Sequence, residues 1–400
     1  MPGAGLKIWQ VMLGGALAVL LLGQISVESA LHAINYDVII FLSGAFVVGS
    51  ALSLSGALNP AIDFCLNRFR SPAAFFTAFI FGAAALSSVL MNDTVAVIGT
   101  FFAASLSRRM NIPRETILLA LAFSVTTGSV ASPVGNPQNL LIASDSGMVD
   151  PFYVFGIYLL VPTVISLLLI YPVLRFFYPF LPAPLGREPE SPVSAGTCGA
   201  CDKRLSRIAV FSLAIFLVMI LLKITAGIFL PYVTVPLTLI AIAGALPVII
   251  LSKRRTDVLK GVDWGTLVFF ASMFVLMQSV WDSGFFQEFI DAGSLFSSPF
   301  IIFSAGLILS QLISNVPFVA LFMPAAAASA GSSLSYAALA AGSTLAGNLL
   351  IFGAASNIII VQNAGKTGGK VGFFRFAKAG VPLTLLQSAV YLIYFYAVFS

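Results

Sequence analysis

Apolar residues run along this chain in long unbroken blocks, not in alternation with polar ones. The blocks fall at about 8–23, 37–54, 72–91, 94–107, 115–143, 152–178, 208–228, 231–251, 264–282, 298–314, 316–330, 336–362 and 379–399. Most approach the roughly 20 residues that a membrane-spanning helix needs, whereas a transmembrane β-barrel would alternate in stretches of about ten. The pattern predicts an all-α polytopic membrane protein. Residues 94–107 would reach only about 20 Å as a helix, and 316–330 little more, against a hydrocarbon core of about 30 Å. Each therefore pairs with the block before it as a re-entrant helical hairpin, at about 72–107 and 298–330. The blocks 115–143 and 336–362 are interrupted at Gly128 to Pro137 and at Gly347 to Gly353. Glycine, serine, asparagine and, in the first, proline break the helical ladder there and predict two discontinuous helices.

The polar stretch 181–207, rich in Pro, Gly, Ser and charge, divides the chain into halves that repeat one another. At a constant offset of 228, Phe41 matches Phe269, Phe46-Val47 matches Phe274-Val275, and Ser55-Gly56 matches Ser283-Gly284. Further on the offset drifts to 223 at Asn92 and Asn315, then to 218 at Gly135 to Asn139 and Gly353 to Asn357. The order of the matches is preserved throughout. Residues 1–180 then form a first repeat, 181–207 a cytoplasmic linker, 208–230 a connecting helix and 231–400 a second repeat. Four crossings in the first half and one in the connector make an odd total, so the second half enters from the opposite side. That is the inverted-topology architecture of secondary transporters.

Composition narrows the class. At 59% hydrophobic and 9% charged, with a mean hydropathy of +1.03, the chain departs far from a soluble protein. Its net charge of +5 is scattered through short loops, which speaks against a nucleic-acid partner. In the topology just described, nineteen of the twenty Lys and Arg residues lie on the side of Met1, and the exception, Lys223, reads as a snorkelling residue near a helix end. The positive-inside rule therefore puts the N-terminus inside and the C-terminus outside, with the first hairpin opening inward and the second outward. The N-terminal block reads as a retained helix because no small-residue cleavage site follows it. Three cysteines make no disulfide framework; Cys198 and Cys201 read as linker residues. His32, the one histidine, rules out a three-histidine metal site.

The tip of the first hairpin reads Ser87-Ser88-Val89-Leu90-Met91-Asn92-Asp93-Thr94, and Asp93 is the one acidic residue this layout sets deep in the membrane. An unpaired charge there costs about 3 kcal/mol or more, so such a carboxylate is neutralised by a proton, a cation or a partner and marks an ion path. Helix capping alone would explain Asn92 or Thr94 but needs no charge. Unwound backbone at membrane depth survives only where it is enclosed in protein or lines a cavity, so the helix breaks are expected to converge near Asp93. The predicted site combines Ser88, Asn92, Asp93 and Thr94 at the first tip, Ser132, Gly135, Asn136 and Asn139 at the first break, Ser314 and Asn315 at the second tip, and Gly353, Ser356 and Asn357 at the second break. Freed carbonyls can coordinate a cation there, and half-helix N-termini can hold an anion.

These motifs, in this order from about Gly23 to Ala379, resemble the ion transporter superfamily, in its branch of arsenite permeases, NhaD-type sodium/proton antiporters and citrate-transporter-like proteins. Asn92-Asp93 is similar to the Asn-Asp of arsenite permeases and Ser314-Asn315 to the Ser-Asn of the second tip; Asp263-Trp264 and Gly56 fall at further landmarks. Divalent-anion symporters instead carry Ser-Asn-Thr at both tips, whose threonines are absent here. The resemblance implies a scaffold of lengthwise helices, a transport part of hairpins and broken helices, and often a homodimer. The expected activity is secondary active transport, in the cell membrane, of a small anion or oxyacid, arsenite-like or carboxylate, proton-coupled through Asp93 by alternating access. Sodium/proton antiport or sodium-coupled symport is the alternative. A passive channel fits poorly with hairpins opening to opposite sides, and an enzyme lacks His-Glu-x-x-His or paired aspartates. No cofactor is called for.

Overall fold

The computed structural model describes residues 8–57, 72–110, 112–179, 202–229, 235–285, 298–328, 332–366 and 371–399. Cys65, Cys198, Cys201 and residues 181–201 of the linker fall outside these, while 203–207 already belong to a helix. The described residues form helices and no strands. In the first half they are α1 (Ile8–Leu21), α2 (Val27–Ala33), α3 (Tyr36–Ser55), α4 (Pro72–Leu90), α5 (Asn92–Met110), α6 (Arg114–Ser129), α7 (Pro137–Asp145) and α8 (Pro151–Phe177). A long helix α9 (Lys203–Phe229) follows. The second half holds α10 (Leu237–Leu251), α11 (Arg255–Lys260), α12 (Trp264–Asp282), α13 (Pro299–Ile313), α14 (Asn315–Ala328), α15 (Ser333–Leu349), a 3₁₀ turn at Ile351–Gly353, α16 (Ala355–Lys366) and α17 (Phe373–Phe399).

Side-chain caps define where several of these begin. Asn35 Oδ1 accepts from Val38 N at the start of α3, Asp150 from Tyr153 N at α8, and Asp263 from Thr266 N at α12. Among the described residues, six helices are long and apolar enough to cross a membrane, at Tyr36–Ser55, Ala73–Leu90, Pro151–Phe177, Lys203–Lys223, Trp264–Asp282 and Phe373–Val398. Two features differ from the apolar pattern. The second leg of the first hairpin is no short stub: α5 has 19 residues, because the helix takes in Asn92-Asp93 at one end and Arg108-Arg109 at the other. Apolar run length thus understates helix length wherever polar residues sit in a helix terminus. The small helices α2 and α11 were also hidden between the long blocks.

Packing follows a paired scheme. Helix α4 lies on α6 as α13 lies on α15; α5 packs against α16 as α14 packs against α7; and α3 lies on α10 as α12 lies on α1. The short helices join in, α11 against α3 and α2 against α12. Along the middle, α8 meets α17 and α6 meets α15, with Thr163 and Tyr391 sharing a buried 2.5 Å hydrogen bond between α8 and α17. Helix α9 covers α10 and α3. Its Lys223 does not simply reach for the interface: it is half-buried and its ammonium donates to the Val235 carbonyl at 2.7 Å.

Candidate substrate and ion site

Each hairpin turns on a single residue. Met91 joins α4 to α5 with φ +69°, and Ser314 joins α13 to α14 with φ +76°, the two positive φ values found outside glycine among the described residues. A side chain in that region costs about 1–2 kcal/mol, and its presence at both tips directly before an asparagine marks a constrained turn. At the first tip Asn92 Oδ1 accepts from the Asp93 N–H at 2.9 Å, while the Asn92 N–H donates to the Gly135 carbonyl at 2.8 Å. The tip is thereby bonded to the break between α6 and α7. A Cβ on Gly135 would collide with the Ser129 carbonyl, and one on Gly353 with the Ala346 carbonyl, so both breaks depend on glycine for close backbone approach.

The first break is held by its own asparagines. Asn136 caps α7, accepting from Asn139 N at 2.8 Å, and donates to Ser129 Oγ at 3.0 Å. Asn139 Nδ2 donates to the Ser129 and Ser132 carbonyls, both at 3.1 Å, satisfying backbone that helix interruption set free. From the other half, Thr344 Oγ1 accepts from Asn136 Nδ2 at 3.2 Å and Gln138 Nε2 at 3.3 Å and donates to Asn139 Oδ1 at 3.3 Å. A second cross-link lies nearby: Asn348 donates to Thr127 Oγ1 and to Gln387 Oε1, and Gln387 donates to Thr127 Oγ1, each at 2.9 Å.

The second break is less satisfied. Asn357 donates to the Gly347 carbonyl at 2.6 Å, but its Oδ1, Asn315 Oδ1, Asn348 Oδ1 and Ser356 Oγ are buried without a hydrogen bond among the described residues. Asp93 is 3% exposed, and its carboxylate makes no hydrogen bond or ion pair among the described residues. Thr94 is buried beside it, its methyl pressed on Gly49 of α3 and its Oγ1 without a hydrogen bond among the described residues.

The structure thus gathers Asn92, Ser132, Gly135, Asn136 and Asn139 on one side and Asn315, Gly353, Ser356 and Asn357 on the other, with Asp93 and Thr94 one step along α5. Ser314 contributes the turn itself. Ser88 does not join them: it is half-buried and its hydroxyl donates to Ala85 O in its own helix, whereas Ser87 reaches across to Val125 O at 2.7 Å. Thr127, Gln138, Thr344, Asn348 and Gln387 were not among the expected site residues. Gln138 and Asn348 sit inside the polar breaks, and Thr127 and Thr344 belong to the short polar runs Thr126-Thr127 and Ser343-Thr344 that lead into them, so all four could have been read there; Gln387 lies beside Ser388 in the apolar α17, with no local signal beyond polarity at presumed membrane depth.

Paired hairpins, two broken helices and a buried polar centre in a multi-pass helical protein define a membrane transporter. A model of the citrate transporter family, CitMHS, matches residues 4–339, and the chain belongs to that family. It is 26% identical to the Uncharacterized transporter Rv2684 of Mycobacterium tuberculosis, over 96% of this chain and 92% of that one. It is 25% identical to the Silicon efflux transporter LSI3 of Oryza sativa subsp. japonica, over 94% and 90% of the two chains. The fold is similar to that of the Alcanivorax borkumensis YdaH transporter, described as having an unusual topology, with a TM-score of 0.58 at 14% identity, covering 98% of this chain and 88% of that one.

Proposed function

We propose that this protein is a secondary active transporter of a small anion or oxyacid in the cell membrane, coupled to protons through Asp93 and working by alternating access. The observation that carries the reading is the buried, unpaired Asp93 carboxylate at a strained hairpin tip bonded to a helix break. A carboxylate so placed is held at low cost only when it carries a proton or a cation. The paired packing of α4–α6 with α13–α15, and of α5–α16 with α14–α7, supports two repeats of inverted topology, Met1 inside and Ser400 outside. In this reading α4–α7 and α13–α16 move against α1–α3 and α10–α12, exposing the centre to each side in turn. The names of the matched family and of the rice relative, citrate and silicon, both fall within small oxygen-rich solutes.

The deciding experiment is pH-driven flux in inverted membrane vesicles. Wild-type protein is expected to couple substrate movement to proton movement and Asp93→Asn to lose that coupling; equal pH-driven flux in both would remove the proton role. A thermal-shift screen of oxyanions, di- and tricarboxylates, sodium and lithium across pH supplies the substrate, since a ligand of the folded state raises its stability.

The buried oxygens of Asn315, Asn348, Ser356 and Asn357 favour a second reading, sodium coupling, because a sodium ion needs oxygen ligands and no carboxylate. Sodium-dependent stabilisation that survives Asp93→Asn and disappears in Asn315→Ala and Ser356→Ala would decide for it.

A further inference from the structure

A crevice of about 360 Å³ lies between two walls that belong to different parts of the fold. One wall is the far end of α7 with the middle of α14; the other is the end of α2, the α2–α3 junction and the last turns of α12. Asp145 lies six residues beyond Asn139 on α7, about 9 Å along the helix axis. Leu141 brings the crevice within two residues of Asn139, but none of the side chains gathered at the tips and breaks lines it.

Its chemistry is mixed in a particular way. Leu141, Phe274, Met277 and Met323 supply an apolar lining, and Trp281 adds a second aromatic face. Asp145 stands at the exposed end of α7 with Oδ1 accepting from Asn35 Nδ2 at 2.9 Å and from Ser144 Oγ at 2.6 Å; its Oδ2 makes no hydrogen bond among the described residues. The surrounding charge is negative. Asp37 in the first turn of α3 adds to the field at Asp145, and on α12 the lining Gln278 donates to Asp282 at 2.8 Å. Helix α14 presents Ala320, Met323 and Pro324 and no charge, and His32 is the one lining side chain able to carry a positive charge.

A half-open crevice of mixed lining, with aromatic faces, one half-free carboxylate and a negative surround, selects a cation with an apolar body. We propose that the crevice is a second ligand site, taking a small organic ammonium whose charged head lies against Asp145 and whose apolar body lies on Phe274, Met277, Trp281 and Met323. A simple anion is repelled there, and a bare metal ion finds too few ligands. The occupant touches both walls and so stabilises this arrangement of α7 and α14 against α2 and α12.

The test uses the purified full-length protein in detergent with 4-phenylbutylamine and its neutral isostere 4-phenylbutanol, read by thermal shift and by tryptophan fluorescence. The amine is expected to raise the melting temperature and alter the fluorescence saturably, and the alcohol to do neither. Asp145→Asn weakens the amine response at least fivefold, and Ala320→Phe, which fills the crevice and leaves the carboxylate in place, abolishes it. Trp281→Phe loses most of the fluorescence change and keeps the thermal shift. Equal responses to amine and alcohol, or an amine response unchanged in both Asp145→Asn and Ala320→Phe, overturns the site. Asp93→Asn keeps the amine response even if transport is lost; its loss there would overturn the separation of the crevice from the polar centre.

Discussion

Thr344 joins the two halves of this site at a single hydroxyl. One hydroxyl from α15 accepts from two amides of the opposite half and donates to a third, so the two breaks are tied through a single oxygen. Thr344→Val keeps the shape and removes every one of these bonds. Asn136 retains Ser129 as a partner, but the Gln138 amide loses its Thr344 acceptor and the Asn139 carbonyl its donor in buried surroundings. The expected loss is about 1–3 kcal/mol of stability by detergent unfolding, with transport falling further than stability, and Thr344→Ser restores most of both. An equally stable, fully active valine variant would show that the bridge is dispensable. The same residue shows what the sequence withheld: Ser343-Thr344 is a visible polar pair, but that Thr344 bonds to the amides of Asn136, Gln138 and Asn139 is fixed only by the opposing helix. Asn92, Asp93 and Asn315 were legible because polarity at the centre of an apolar hairpin is itself a signal.

Among the elements, the hairpins show how a turn of one residue is made from an unwilling backbone. Ser314 adopts φ +76° while its N–H remains bonded to Ser310 O and its carbonyl accepts from Phe318 N, so both helices run up to the turn. Ser314→Gly is expected to fold at least as well as wild type. Ser314→Val, β-branched in the left-handed region, should lose about 1–2 kcal/mol in the same unfolding assay. A valine variant as stable as the glycine one would mean that the turn is free to relax. Hairpins and broken helices could be read from interruptions in apolar runs. The length of α5 could not, because a terminal Asn-Asp or Arg-Arg extends a helix as readily as it ends an apolar block. Nor could α2 and α11, six or seven residues whose helicity comes from packing on α12 and α3 and not from any periodic stripe.

For the whole molecule the question is what holds the halves together and what lets them move. At one end Arg375 pairs with Glu115, which also accepts from Gly372 N, while Tyr178 donates to the Arg375 carbonyl at 2.6 Å. Burial, and then the Glu115 carboxylate, push the Tyr178 phenol above its ordinary range, against the pull of Arg375, so it stays a donor. This cluster ties α6, one of the helices taken to move, to the ends of α8 and α17. The link from Asn35 to Ser144 and Asp145 spans the boundary instead. In a background without Cys65, Cys198 and Cys201, cysteines at Asn35 and Ser144 bridged by a short thiol-reactive cross-linker should therefore stop transport, reversibly if the linker is cleavable. Cross-linked protein that still transports would refute a moving boundary at α7.

Much of this protein lies in its linear pattern. Long apolar blocks without alternation commit the chain to helices in a bilayer, since a helix pairs its own backbone groups there and the other solution, a closed β-barrel, requires alternating residues; polar interruptions announce hairpin tips and helix breaks because backbone freed from the helix must find partners. What the chain could not disclose was partnership. Which asparagine oxygens are used up and which stand free, that Thr344 and Gln387 reach across from distant helices, that Ser87 and not Ser88 faces inward, and that four elements enclose a crevice beside Asp145 all depend on side-chain direction at helix contacts. That direction is set by how helices rotate and cross when they pack, and it has no trace in the order of residues along any one of them.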